Sequence, residues 1–196
     1  MTPDLTGLTD RQIEFADAAL GIIAREGMAG LSFRSVAAES GWSLGAVQKA
    51  FPSKERMLSA AFARLRAREA PVPAGEPGRP TLRGWLVELL VGILPLDDTR
   101  IQVQRQGDAF AQYALTDPQI AAAIAASDDE IRGLLASLVR RAVTEGEIAP
   151  GIDADAVAWA IFALAQGLAA QLLYQPQPEH AVRERLETVI GSILSA

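Results

Sequence analysis

Cysteine is absent from this 196-residue chain. Disulfides and thiolate metal sites go with it, and a reducing cytosol is the expected compartment. Histidine occurs once, as His180. Beside Glu179 and without a cluster of partners, it reads as a solvent-facing side chain and not as a base or metal ligand. Runs of β-branched and aromatic residues, the usual mark of strands, are scarce. The longest apolar run, 156–165, falls far short of the roughly 20 residues of a membrane-spanning helix. The first residues show no basic segment followed by an apolar core, so no signal peptide is expected.

What is present is a folded composition, 49% hydrophobic and 21% charged, dominated by the helix formers alanine and leucine. The net charge of −6 argues at first against a nucleic-acid partner, but the charge is unevenly placed. Residues 9–68 hold nine Lys/Arg against six Asp/Glu, and the rest of the chain is acidic. A mildly basic head on an acidic body favours one docking face toward DNA.

The apolar spacing predicts helices throughout. Ile13, Ala16, Leu20 and Ile23 share one face of a helix over 10–26 that Gly27 closes. Ser32 is placed to cap a helix over 33–40 that ends at Gly41, and Ser43 to cap a third over 44–50. Ser53 opens a fourth, with Leu58, Ala61, Phe62 and Leu65 on one face. The stretch 71–80 has four prolines and two glycines and reads as a linker between a head (1–70) and a body (81–196). In the body, Leu82, Trp85, Leu86, Leu89, Leu90 and Ile93 make an amphipathic stripe stopped by Pro95. Further helices are expected over 98–115, from Asp117-Pro118 to about 145, over 154–174, and after Pro178. The expected fold is all-α, with about nine helices: a three-helix helix-turn-helix head and a helical ligand-binding and dimerisation body.

Two short helices joined by the tight turn Glu39-Ser40-Gly41-Trp42-Ser43 form a helix-turn-helix unit. The second helix opens with Ser43, Leu44, Gly45 and Ala46. These small residues let its N-terminus approach a DNA backbone, where free N–H groups attract phosphate.

From Ile13 to Leu58 the sequence resembles the TetR family of repressors. The resemblance is carried by Ala18-Ala19, Gly27, Ser32-Phe33-Arg34-Ser35-Val36-Ala37, Gly41-Trp42-Ser43-Leu44-Gly45-Ala46-Val47 and Phe51-Pro52-Ser53-Lys54-Glu55, in that order and spacing. It implies that Ser32 caps its helix and touches a phosphate, that Lys54 binds a phosphate, and that helix 44–50 enters the major groove. Arg34, Trp42, Ser43, Leu44 and Ala46 are further candidate DNA contacts. Most members carry Tyr where this chain has Gln48, and His or Tyr where it has Ala50. Glutamine can bond an adenine edge in two places, worth about 1–3 kcal/mol of discrimination. Gln48 and Lys49 are therefore the expected base readers. Phe51, Val36, Val47 and Leu58 are expected in the core, and Arg64, Arg66 and Arg68 on a solvated face. Trp42 fits either the core or the backbone contact.

Gly41-Trp42-Ser43-Leu44-Gly45 also matches the G-x-S-x-G nucleophile elbow of serine hydrolases. That motif needs a strand before the serine, and the preceding residues read as helix. No catalytic residue, metal or cofactor is expected.

Helix 154–174 is apolar nearly all round, through Val157, Trp159, Ile161, Phe162, Leu164 and Leu168, so it must be covered on every side. Ala163, Gly167 and Ala170 allow close approach of a neighbour. The family resemblance implies a symmetric homodimer through about 154–194, with Leu186 and Ile190 contributing from the last helix. The body is similar to the subgroup whose C-terminal domain is shared with choline-responsive regulators. That similarity is carried by Leu94-Pro95-Leu96-Asp97-Asp98, Thr116-Asp117-Pro118, Gly146-Glu147-Ile148 and Gln166-Gly167-Leu168, where Gln166 replaces the usual Asp. Trp85, Leu89, Phe110, Tyr113, Trp159 and Phe162, with Gln106 and Gln166 as polar anchors, are candidates for an effector pocket. No dense charged cluster lies on an apolar face, so a neutral or weakly polar ligand fits better than a phosphate compound.

The resulting expectation is a cytoplasmic, dimeric, ligand-responsive repressor with recognition helices about 34–36 Å apart on a palindromic operator. Effector binding in the body would move the fourth helix and break that spacing. Two alternatives stand beside it: a ligand- or protein-binding helical module with a vestigial head, and a serine hydrolase built on Ser43.

Overall fold

The structure, a computed structural model, describes residues 7–67 and 81–195. The expected linker 71–80 and Arg68 lie outside the described residues. The described residues form nine α-helices and one short 3-10 turn, with no strand. The helices are α1 (Asp10–Glu26), α2 (Phe33–Ser40), α3 (Leu44–Ala50), α4 (Lys54–Ala67), α5 (Leu82–Ile93), α6 (Asp98–Ala114), α7 (Pro118–Thr144), α8 (Ala154–Tyr174) and α9 (Glu179–Leu194). The 3-10 turn is Met28–Gly30.

Local chemistry sets these boundaries. Thr9 and Gln12 form a reciprocal capping box at the start of α1, and Ser32 and Ser35 form one at the start of α2, satisfying N–H groups that a helix leaves orphaned. Ser43 accepts from the Ala46 N–H, Thr81 from Gly84, Asp117 from Gln119 and Ile120, and Asp153 from Asp155 and Ala156. At Gly41 the chain leaves α2 in the left-handed region, φ 72° and ψ 13°, where a Cβ is strained.

The chain folds into two compact units. The first comprises Met1–Glu69 and Gln102–Ser127, the second Ala70–Ile101 and Asp128–Ala196. The first is centred on Phe15, Leu20 and Ile23 of α1, Val36 of α2, Val47 of α3, and Met57, Leu58 and Phe62 of α4. Phe110 of α6 and Ile120 of α7 belong to the same core. Phe62 and Phe110 stack with ring centroids 5.2 Å apart. Gln106, which is buried, donates its amide to the Leu20 carbonyl at 2.9 Å. The compact head is thus larger than residues 1–70, because α6 and α7 supply part of its interior.

The second unit packs α5 against α9, with α7 and α8 completing its core. Leu82, Trp85, Leu86 and Leu90 meet Leu135, Val139, Val157, Ile161, Leu172, Val182, Leu186 and Ile190. Arg183 of α9 pairs with Glu88 of α5, and Arg83 donates to the Glu187 carbonyl at 2.8 Å.

Candidate nucleic-acid interface

α3 has one fully buried residue, Val47. Ala46 and Ala50 are half-buried against the same core, while Gly45, Gln48 and Lys49 are exposed. A helix anchored by so few side chains is held chiefly by its two ends and leaves its outer face free for another molecule. At its start, the Gly41 and Trp42 N–H groups both close back on the Ala37 carbonyl. At its end, Gln12 of α1 donates to the Ala50 carbonyl at 2.9 Å. Phe51, buried behind α3, packs edge-on against Phe15 with centroids 6.4 Å apart.

The charges around α3 are arranged in two classes. Arg25 at the end of α1 is bidentate on Glu39, at 3.0 and 2.7 Å. Arg64 of α4 is bidentate on Asp17, at 2.9 and 3.1 Å. Hydrogen bonding to those carboxylates is the first cause that raises both guanidinium pKa values. By contrast Arg11 and Arg34, in the first turns of α1 and α2, and Lys49 and Lys54, on α3 and at the start of α4, have no carboxylate at salt-bridge distance among the described residues. Lys49 and Lys54 are also the only lysines of the whole chain. Cations left unneutralised around an exposed helix suit a polyanionic partner. Glu55, next to Lys54, has its carboxyl held below the ordinary value, chiefly by a hydrogen bond from Ser53.

Residues 15–61 match the family of bacterial regulatory proteins of the tetR type, and residues 82–195 match the C-terminal domain of BetI-type transcriptional repressors. The chain belongs to the TetR family of transcriptional regulators. It is 25% identical over 181 residues to the HTH-type transcriptional regulator PksA of Bacillus subtilis (strain 168), covering 92% of this chain and 86% of PksA. A transcriptional regulator from Rhodococcus sp. Rha1 superposes with a TM-score of 0.76 at 30% identity, covering 95% of this chain and 96% of that one. The multidrug binding protein EbrR in complex with ethidium superposes with a TM-score of 0.71 at 25% identity, covering 95% of this chain and all of EbrR (100%).

Within this TetR regulator, the residues expected from the sequence fall into distinct places. Ser32 caps α2, with its Oγ accepting from the Ser35 N–H at 3.0 Å. Ser43 caps α3, Arg34 is exposed, and Leu44 is half-buried. Trp42 is 39% exposed, so it is neither core nor fully free. Its indole donates to Glu14 at 3.0 Å, and Arg11 lies over its ring at 4.3 Å. Arg11 and Glu14 escaped the sequence reading, because no local motif links the first turn of α1 to a turn some thirty residues later. Arg64 is corrected from a solvated position to a structural one by its bond to Asp17, whereas Arg66 is exposed.

The expected effector residues do not gather in one unit. Trp85, Leu89, Trp159, Phe162 and Gln166 belong to the second unit; Gln106, Phe110 and Tyr113 belong to the first. Gln106 and Phe110 are engaged in the first unit's core. Trp159 is 64% exposed and Gln166 is exposed. Trp85 is 94% buried (6% exposed), and its indole N–H has no hydrogen-bond partner.

Of the expected dimer residues, Ala163, Gly167 and Ala170 are exposed, while Leu186 and Ile190 are filled in by the chain's own core. α8 is the one helix among the described residues long and apolar enough to cross a membrane by length and composition, yet only 28% of its apolar window is buried.

Proposed function

We propose that this TetR-family regulator is a cytoplasmic, homodimeric repressor that inserts α3 into the major groove of a palindromic operator and is released by a small-molecule effector. The observation that carries the DNA-binding face is the set of cations with no salt bridge among the described residues, Arg34, Lys49 and Lys54, around a helix whose exposed residues are Gly45, Gln48 and Lys49. Gln48 and Lys49 are the base readers, Ser32 and Lys54 the phosphate contacts. The role is regulatory, and α2 precedes the Gly41–Gly45 motif where a nucleophile elbow needs a strand, which counts against a serine hydrolase built on Ser43.

The dimer reading rests on α8. Trp159, Ala163, Gly167, Ala170 and Tyr174 recur at helical spacing along its open side. An apolar stripe of this kind needs cover, and small residues at its middle let a second α8 approach closely. A second copy, not lipid, is the proposed cover.

The effector reading rests on Trp85. A buried N–H without a partner costs about 1–3 kcal/mol, and a bound molecule carrying a carbonyl, hydroxyl or ether oxygen would satisfy it. EbrR is described in complex with ethidium. That dye has no oxygen acceptor, so it serves as a first probe of effector binding in general, and an oxygen-bearing ligand is needed to probe Trp85 itself.

Selection of random duplex DNA by the purified protein at moderate salt tests the whole reading. An inverted repeat in the bound pool is the expected result. Absence of enrichment from a folded dimer would favour the vestigial-head alternative.

A further inference from the structure

The first turn of α1 lies against both ends of α3. Gln12 holds the Ala50 carbonyl at the far end, and Arg11 stands over Trp42 immediately before the cap Ser43. The Trp42 ring is fixed from several directions. Its N–H is bonded to Glu14, Phe15 meets it edge-on at 6.3 Å and 90°, and the Arg11 guanidinium carbon sits 4.3 Å from its centroid. Arg11 itself is exposed and has no carboxylate at salt-bridge distance among the described residues. It differs in this from Arg25 and Arg64, each locked on an acid.

A guanidinium lying on an aromatic face keeps its in-plane N–H donors at the rim, where they can still grip an anion. Stacking also restricts a long side chain before binding, so less conformational entropy is lost when it engages. The cation therefore stands ready beside the N-terminal end of α3.

We infer that Arg11 is a further DNA-backbone contact of this regulator and that Trp42 is its positioning residue. The inference rests on the reading of α3 as the DNA-entering helix. Arg11 touches the phosphate, whereas Trp42 acts through Arg11 and through its place in the turn. Glu14 fixes the indole edge, and no carboxylate among the described residues claims the Arg11 guanidinium.

The test uses the full-length protein and a duplex recovered by random selection, with apparent Kd measured from 50 to 200 mM salt. Each phosphate contact contributes about 0.9 to the slope of log K against log salt. With one Arg11 per protomer, Arg11→Ala should lower the slope by about 2 and weaken binding uniformly across sequences. Arg11→Lys should keep most of the slope. Trp42→Leu should lower affinity in the wild-type background and much less in the Arg11→Ala background, and Trp42→Phe should restore most of what Trp42→Leu loses. Lys54→Ala serves as the reference phosphate contact. A slope lowered by Lys54→Ala and left unchanged by Arg11→Ala would overturn the inference while leaving the DNA-binding reading intact. A wild-type protein that binds no duplex would overturn the reading on which it rests.

Discussion

Gly41 holds a backbone conformation that an L side chain rarely adopts, and a Cβ placed there meets no neighbour. The cost of Gly41→Ala is therefore conformational, roughly 1–2 kcal/mol, and a thermal melt should show a lowered midpoint. Gly41→Asn should recover part of the loss, since asparagine tolerates the left-handed region better than alanine. This glycine was legible in the sequence because it stood between a helix pattern and a serine cap. The role of Arg64 was not, since Asp17 lies on another helix and nothing local pairs them. Asp97 gives the acid-side test. Its carboxyl is held below its ordinary value, first by the backbone N–H of Arg100 at the start of α6. A folded pKa below the unfolded one gives stability that is fully present above the ordinary carboxylate range and is lost as pH falls through the folded value. Thermal midpoints of wild type and Asp97→Ala should therefore differ at pH 7 and converge at strongly acidic pH. A gap that stays constant over that range would contradict this role.

At the scale of elements, the nine helices were readable because their ends carry their own chemistry. Serine, threonine or aspartate stands before the first turn of most of them, Pro118 opens α7, and glycine follows α1 and α2. The limits of the compact head were less readable. α6 contributes Asp98–Ile101 to the second unit and its remainder to the first, and α7 is likewise divided after Ser127. Helical spacing reports which residues face inward, but not which core they enter. By sequence Gln106 suits a polar anchor for a ligand. It faces inward as expected, yet its amide is bonded to Leu20. The same limit applies to Leu186 and Ile190, whose apolar periodicity is equally satisfied by the chain's own core and by a partner. α8 carries the dimer proposal in their place. A carboxylate introduced as Ala163→Glu would be buried unpaired against its copy, which is strongly unfavourable. Sedimentation should then show a monomer with its helical content retained. A dimer that survives Ala163→Glu would move the interface elsewhere.

For the whole molecule, an acidic chain that binds DNA needs its cations concentrated on one face, and the two lysines of the sequence, Lys49 and Lys54, fall on α3 and at the start of α4. The proposed role of α3 is to read base edges. Phosphate contacts set affinity and salt dependence, whereas side chains at base edges set sequence preference. The most direct measurement is to repeat the selection of random duplex DNA with Gln48→Ala beside the wild type. The account predicts the same inverted repeat with preference relaxed at one symmetric pair of positions, a loss of about 1–3 kcal/mol of discrimination there, and an unchanged salt slope. A motif identical to that of the wild type at every position would contradict the assignment of Gln48 as a base reader, and the same result for the Gln48→Ala, Lys49→Ala double variant would contradict α3 as the reading helix.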